Sequence, residues 1–103
     1  KTLDMPFIIA EIAQAHDGSL GTAHAYIDAL SKTGVHAIKF QTHIAEAETL
    51  KEAPSPSYFS LEPRYDYFLR TSFTLDQWAQ LKNVCIKNNV LFHLLLALFL
   101  AFW

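Results

Sequence analysis

The chain has 103 residues, of which 51% are hydrophobic and 17% charged, and its formal net charge is -2. This length suits one small domain, and the composition excludes a disordered chain. The small net charge and the scattered Lys and Arg residues argue against a nucleic-acid partner. Cys85 is the only cysteine, which excludes a disulfide framework and favours a reducing, cytoplasmic location.

Two short apolar runs predict neighbouring strands of a parallel sheet. Residues 7–13 are continuously apolar except for Glu11, a pattern typical of a strand that is covered on both faces. Residues 36–41 form the second run. The segment between them contains turn residues followed by apolar residues at helical spacing, so the two runs form one right-handed βαβ unit.

The helix of this unit has sequence signals at both ends. Ser19 or Thr22 can cap a helix that starts at Leu20, because a hydroxyl oxygen accepts from the free amides of the first turn. Gly34 predicts the end of the helix, which would place Lys32 in its last turn.

The second half of the chain predicts a long connection, a helix and a third strand. Within the connection, residues 42–73, a short helix is expected at residues 64–70. A second long helix follows, starting at a capping box and ending at two asparagines; its cap residues are Thr74 and Gln77, and its predicted buried stripe is Leu75, Trp78, Leu81 and Cys85. Residues 90–92 predict the third strand. Residues 94–103 lack strand alternation and are too few to span a bilayer.

Three polar side chains lie near the ends of the first two predicted strands. Lys39 and Gln41 share one face, because side chains two residues apart on a strand point the same way. Glu11 lies near the same end of the neighbouring strand, where parallel sheets gather their binding groups. These groups can bind an anionic substrate and transfer a proton. The alternative is a Glu11–Lys39 ion pair that only satisfies two buried charges, and the pattern leaves both open.

The five histidines do not predict a metal site, because none has a ligand spacing such as HExxH. His16 and His43 follow the two strand ends and are the candidates for site-lining residues, whereas His24 belongs to the helix. Cys85 lies on a helical stripe and is interpreted as a core residue, not a nucleophile.

Several motifs together resemble the N-terminal part of a known enzyme family. They are PFIIAEIAQ at residues 6–14, HDGSLG at residues 16–21 and AIKFQT at residues 37–42, extended by RYDY at residues 64–67 and by residues 73–74 and 77–78. This combination resembles the sialic acid synthase family, which comprises the N-acetylneuraminate synthases and related nonulosonate synthases. The resemblance covers about residues 5–92.

The resemblance implies an α/β fold, the N-terminal fragment of a TIM (β/α)8 barrel with about two and a half βα units. It implies a synthase that condenses phosphoenolpyruvate with N-acetylmannosamine, its 6-phosphate or a related sugar. The family uses a divalent metal, Mn²⁺ or Mg²⁺, and forms homodimers. By the same resemblance Glu11 acts at the sugar carbonyl as acid or base, and Lys39 and Gln41 contact substrate; His16 is predicted to bind substrate with them.

Three departures from the family pattern limit this expectation. Ala15 stands where the family has Asn before the histidine, which removes an amide from the site. After Phe92 the family has a Ser-rich strand end that helps to hold phosphate, whereas here an unrelated apolar tail begins at His93. The metal-binding histidines of the family lie on later strands. We therefore expect a partial barrel domain at residues 1–92, a non-matching tail at residues 93–103, no metal ligand in this chain, and no activity of the chain by itself.

Two other readings stay open. The chain can be a non-enzymatic remnant whose apolar C-terminal tail associates with a partner or a membrane surface. It can also belong to the related barrel aldolases that use phosphoenolpyruvate, such as the 3-deoxy-heptulosonate 7-phosphate synthases, although Glu11 and the KFQ motif at residues 39–41 fit the sialic acid group better.

Overall fold

A parallel sheet with helices packed on one face organises the computed structural model, which describes residues 5–48 and 62–96. The described strands follow the order β1-β2-β3, and both neighbouring pairs are parallel. The elements in chain order are β1 (Ile9–Ala13), α1 (Leu20–Leu30), β2 (Ala37–Thr42), α2 (Ala45–Glu48), α3 (Arg64–Arg70), α4 (Leu75–Lys87) and β3 (Leu91–Leu96). None of the helices in this part of the chain is both long and apolar enough to cross a membrane.

The core lies between the sheet and the helices α1 and α4. Ile38 and Phe40 are fully buried and project from β2 toward the helices, because alternate residues of a strand face the same side. The helices contribute buried side chains at helical spacing, namely Ala23 and Ile27 from α1 and Trp78, Leu81 and Cys85 from α4. Burying these side chains is the main source of stability for the fold.

The opposite face of the sheet is open within the described residues. Its outer apolar side chains are exposed, with Ile9 at 47%, Leu91 at 61% and Leu95 at 41%. The expectation that residues 7–13 are covered on both faces is therefore wrong for this chain, since the helices cover only one side. A continuous apolar run predicts that both faces of a strand are covered, but in the described residues only one face is.

Helix α1 starts as predicted and ends earlier than predicted. The Ser19 hydroxyl accepts from the Thr22 amide at 3.1 Å, which confirms Ser19 as the cap. The helix ends at Leu30, so Lys32 does not lie in its last turn. The hydroxyls of Ser31 and Thr33 bond the carbonyls of Asp28 and Leu30, and such local bonds compete with further helical hydrogen bonds.

Helix α4 has the predicted capping box and a shorter buried stripe. Thr74 accepts from the Gln77 amide at 3.1 Å, and the Gln77 side chain accepts from the Thr74 amide at 2.9 Å. Leu75 is wrong as a core residue, since it is 86% exposed, whereas Trp78 in the same turn of α4 is buried. Asn89 has φ 63° and follows the end of the helix, as its left-handed tolerance predicts.

Strand β3 continues past the three residues that predicted it. It runs to Leu96, and its residues pair with β2 as far as Thr42. Leu94–Leu96 are therefore part of the sheet, although their sequence has no polar alternation: backbone pairing supplies their hydrogen bonds. Residues 97–103 lie outside the described residues, and the division of the chain after residue 92 stays a prediction.

Candidate active site

Glu11 and Lys39 form an ion pair on the open face of the sheet. They are direct cross-strand partners, and Lys39 Nζ lies 3.2 Å from Glu11 Oε1. The Lys39 side chain is 26% exposed and that of Glu11 46%. The prediction that these two side chains lie close together is confirmed. Both side chains are partly exposed, so the pair is not fully buried, and its role in catalysis stays a prediction.

A bulge in β1 holds the Glu11 carboxylate in place. The register with β2 shifts between Glu11 and Ala13, and Ala13 adopts φ 52°. At this bulge the Ala13 amide donates to Glu11 Oε2 at 3.0 Å. Each carboxylate oxygen thus has a fixed partner, an arrangement that bulges often provide near functional sites.

Gln41 lies on the same face as Lys39 and has a different partner. Its Nε2 donates to His43 Nε2 at 3.2 Å. The His43 ring is 5% exposed and stacks on Phe68, with ring centroids 4.0 Å apart. His43 therefore supports Gln41 from the loop after β2. The roles of Gln41 and His43 toward a substrate stay predictions.

His16 is separated from the Glu11–Lys39 pair by the sheet. The ring is fully buried, contacts Phe73 with centroids 4.5 Å apart, and also meets Phe40 and Trp78. Phe40 faces the helices, so His16 lies on the side opposite Lys39. Burial lowers the pKa of His16, against a smaller raising effect of Asp17, and so favours the neutral ring. This placement does not support the predicted substrate-binding role, which stays untested.

The hydrogen bonding of the two His16 ring nitrogens fits the neutral form of the ring. Nδ1 accepts from the Gly18 amide at 3.0 Å, so the proton of the neutral ring belongs on Nε2. Nε2 is buried and has no hydrogen-bond partner among residues 5–48 and 62–96. The ring thus shapes the loop between β1 and α1 instead of offering a group to solvent.

Arg70 fastens the same loop to α3. Its guanidinium donates to the Asp17 carbonyl and carboxylate, both at 3.0 Å. It also makes two bonds of 2.9 Å to the carboxylate of Glu62. The hydrogen bond from Arg70 holds the pKa of Glu62 below its ordinary value. Sequence reasoning gave Arg70 no such role, because its partner Asp17 is 53 residues away and no local motif marks the contact.

A cavity of 390 Å³ lies near the ends of β2 and β3, on the helix side of the sheet. Its lining is mainly apolar and includes Phe73, Trp78, Leu94 and Leu96. Since Leu94 and Leu96 project away from the Lys39 face, the sheet separates this cavity from the ion pair.

The described residues do not form a metal site. No group of three or more His, Cys, Asp or Glu side chains in residues 5–48 and 62–96 is arranged to hold a metal ion. The divalent metal that the resemblance implies, with its ligands on later strands, stays a prediction.

Comparisons with known proteins agree on one family. Residues 26–94 match the profile of the NeuB family. The chain is 34% identical over 96 residues to N-acetylneuraminate-9-phosphate synthase of Drosophila melanogaster, and the match covers 87% of this chain and 25% of that protein.

Two solved structures share the fold. The crystal structure of N-acetylneuraminic acid (sialic acid) synthetase from Leptospira borgpetersenii serovar Hardjo-bovis in complex with citrate superposes with a TM-score of 0.68 at 26% identity, covering 93% of this chain and 33% of that one. The spore coat polysaccharide biosynthesis protein of Bacillus subtilis gives a TM-score of 0.60 at 29% identity, covering 89% and 24%. The chain thus spans a third or less of these relatives.

These matches confirm the expected architecture, an α/β fold that corresponds to the N-terminal part of the sialic acid synthase barrel. The profile match covers more than half of the chain, and it includes β2, α4 and the start of β3. On this evidence from sequence and fold, the chain belongs to the NeuB family of sialic acid synthases.

Proposed function

We propose that this chain supplies the first βα units of a synthase that condenses phosphoenolpyruvate with N-acetylmannosamine or a related sugar to form N-acetylneuraminate-type acids. Membership of the NeuB family and the name of the Drosophila relative support this reaction class. The observation that carries the proposal is the Glu11–Lys39 pair at 3.2 Å, solvent-accessible on the open face of a parallel sheet.

The two groups suit different parts of such a reaction. The terminal methylene carbon of phosphoenolpyruvate attacks the sugar aldehyde, whose oxygen takes up a proton. Water then adds to the adjacent carbon, which bears the phosphate, and loses a proton, and phosphate leaves as the bond between that carbon and its oxygen breaks. Glu11, held between Lys39 and the Ala13 amide, is the group proposed to handle the proton at the aldehyde oxygen. Lys39 can neutralise an anionic group of the substrate. Gln41 can hydrogen-bond a polar group of the sugar.

This chain is expected to provide only part of the active site. A divalent metal, Mn²⁺ or Mg²⁺, is expected to bind residues of later strands. The chain by itself is expected to be inactive, and the homodimer of the family is expected only for a complete barrel. His16, buried behind the sheet, is not assigned a step.

A chimera tests the proposed roles in a complete barrel. Residues 5–96 replace the matching segment of the Leptospira synthetase, and phosphate release is measured with phosphoenolpyruvate, N-acetylmannosamine and Mn²⁺. We expect turnover by the chimera and none by the isolated chain. Glu11→Gln should lower kcat by about 10²-fold or more, as loss of an acid–base group does. The matched control is Asp28→Asn, an exposed carboxylate on α1.

Two outcomes of this assay would contradict the proposal. Full turnover by the Glu11→Gln chimera would remove Glu11 from the chemistry, and an equal loss in the Asp28→Asn chimera would point to the fold instead. A further arm, Ala15→Asn, restores the amide of the family pattern and is expected to raise turnover. Ala15 is exposed in the loop that follows β1, so this change leaves the core alone.

One observation favours the second reading, association through apolar surface. Leu91, Leu95 and Leu96 of β3 are 61%, 41% and 47% exposed, and the apolar residues 97–103 follow them. Under this reading the chain pellets with phosphatidylcholine vesicles, and deletion of residues 97–103, which leaves β3 whole, abolishes pelleting. Unchanged pelleting after that deletion would exclude the tail as the anchor.

A further inference from the structure

His93 of β3 is a third polar side chain in the row of Glu11 and Lys39, where a row is the set of residues that pair with one another across the three strands. The register of β3 pairs His93 directly with Lys39, which in turn pairs with Glu11. Paired residues of parallel strands project to the same face, with neighbouring strands about 4.8 Å apart. The sequence alone placed His93 at the start of an unrelated tail, because an apolar run hides its register.

The surroundings of His93 leave its ring available for a ligand. The side chain is exposed, and it makes no hydrogen bond or ion pair within residues 5–48 and 62–96. The rows on either side of it hold no charge: Ala37 and Leu91 form one, and Gln41 and Leu95 the other. Among the described strand residues of this face, the titratable groups are therefore Glu11, Lys39 and His93.

We propose that Lys39 and His93 form a two-donor binding site for an oxyanion, the phosphate or carboxylate group of the substrate. Lys39 has three N–H donors, of which Glu11 Oε1 engages one. An imidazole beside it adds a ring N–H donor. A charged donor strengthens a hydrogen bond to an oxyanion, and two donors fix the orientation of the group.

The position of Glu11 favours this side of Lys39 for an anion. Glu11 lies on β1 and His93 on β3, so two strand spacings separate them, about 10 Å. An anion between Lys39 and His93 is therefore kept away from the Glu11 carboxylate, with the ammonium of Lys39 in between. The site rests on the proposed function, since it assigns the anionic substrate to one half of the row and proton transfer to the other.

Ring signals in ¹H–¹³C NMR spectra of the 103-residue chain test this site. Phosphoenolpyruvate is titrated into the wild-type chain and into His93→Leu, which extends the leucines that follow in β3. The control is His24→Gln on α1, outside the sheet. We expect the His93 signals to shift with phosphoenolpyruvate, the His93→Leu chain to bind it about tenfold more weakly, and His24→Gln to bind as the wild type does.

Inorganic phosphate and pyruvate then show which group is bound: a shift of the His93 signals with phosphate assigns the phosphoryl group, and a shift with pyruvate alone assigns the carboxylate. Unshifted His93 signals overturn the proposal. An unchanged affinity of His93→Leu for phosphoenolpyruvate also overturns the proposal. If Lys39→Met then loses phosphoenolpyruvate binding, the proposed function stands without His93. If phosphoenolpyruvate binds none of these chains, the anion site is refuted, whereas the chimera assay still decides the role of Glu11.

Discussion

Replacing Gly18 by Ala is expected to disrupt the loop that joins β1 to α1. Gly18 has φ +82°, and a Cβ at this position would lie 2.5 Å from the backbone carbonyl oxygen of Arg70. The oxygen belongs to the end of α3 and cannot swing aside as a side chain can. Gly18→Ala must therefore move the loop away from α3, and with it the contacts of Arg70 to Asp17.

Substitutions at two other glycines separate the cost of the left-handed backbone from the cost of the close contact. Gly34 has φ +90°, and apart from its two chain neighbours no described residue has an atom within 4 Å of an added Cβ. Gly21 lies in α1, and the nearest such atom is at 3.9 Å. The left-handed backbone costs about 1–2 kcal/mol in both Gly18→Ala and Gly34→Ala. The forced contact adds about 1–3 kcal/mol for Gly18→Ala only. Gly21→Ala is expected to stabilise by up to about 1 kcal/mol, since Ala favours the helix.

The free energy of unfolding is measured by urea titration, with Trp78 fluorescence as the probe in a Trp103→Phe background. Trp78 is 6% exposed and packs against Phe40 and Phe73, so its emission reports the core. The expected order of stability is Gly21→Ala, wild type, Gly34→Ala and Gly18→Ala, from highest to lowest. Equal losses in Gly18→Ala and Gly34→Ala would refute the role of the close approach.

Two predictions concern buried titratable groups. Burial holds the pKa of His16 below its ordinary 6.5, so the unfolded chain takes up the proton first as the pH falls. The contribution of His16 to the free energy of unfolding is therefore complete above about pH 6.5. It decreases below that pH by at most about 1.4 kcal/mol per pH unit. Urea titrations at several pH values should show this slope in the wild type, and its persistence in His16→Phe would contradict the assignment. Burial raises the pKa of Cys85 to about 11 and leaves its side chain inaccessible to solvent. The native thiol should therefore react with a disulfide reagent at pH 8 about 100-fold more slowly than the urea-unfolded thiol, or more slowly still; equal rates would disprove this.

The sequence predicts those parts of the fold whose signals are local. The Ser19 cap, the Thr74 and Gln77 capping box and the left-handed Asn89 each involve residues close together in the chain. The neighbouring positions of Glu11 and Lys39 also follow from the sequence, because one βαβ unit places its two strands side by side.

The parts that the sequence does not predict depend on contacts between distant segments. His16 follows a strand end like a site residue, but Phe73 and Trp78, far along the chain, decide that its ring is buried. Leu75 has the spacing of a core residue, but no described segment packs over it and it stays exposed. The register that sets His93 beside Lys39 cannot be read from an apolar run, since shifting a strand by one residue leaves such a run looking the same.

The open face of the sheet also determines how strongly its charges act. Two unit charges about 4 Å apart interact by about 1 kcal/mol in water and by about 4 kcal/mol at an effective dielectric constant of about 20. Glu11 and Lys39, 46% and 26% exposed, are closer to the first condition, so water and dissolved salt weaken their hold on each other and on any anion. Packing a further layer over this face would strengthen the same pair without moving an atom of it. The electrostatic strength of these groups therefore depends on enclosure, a property of the surroundings and not of the residues themselves.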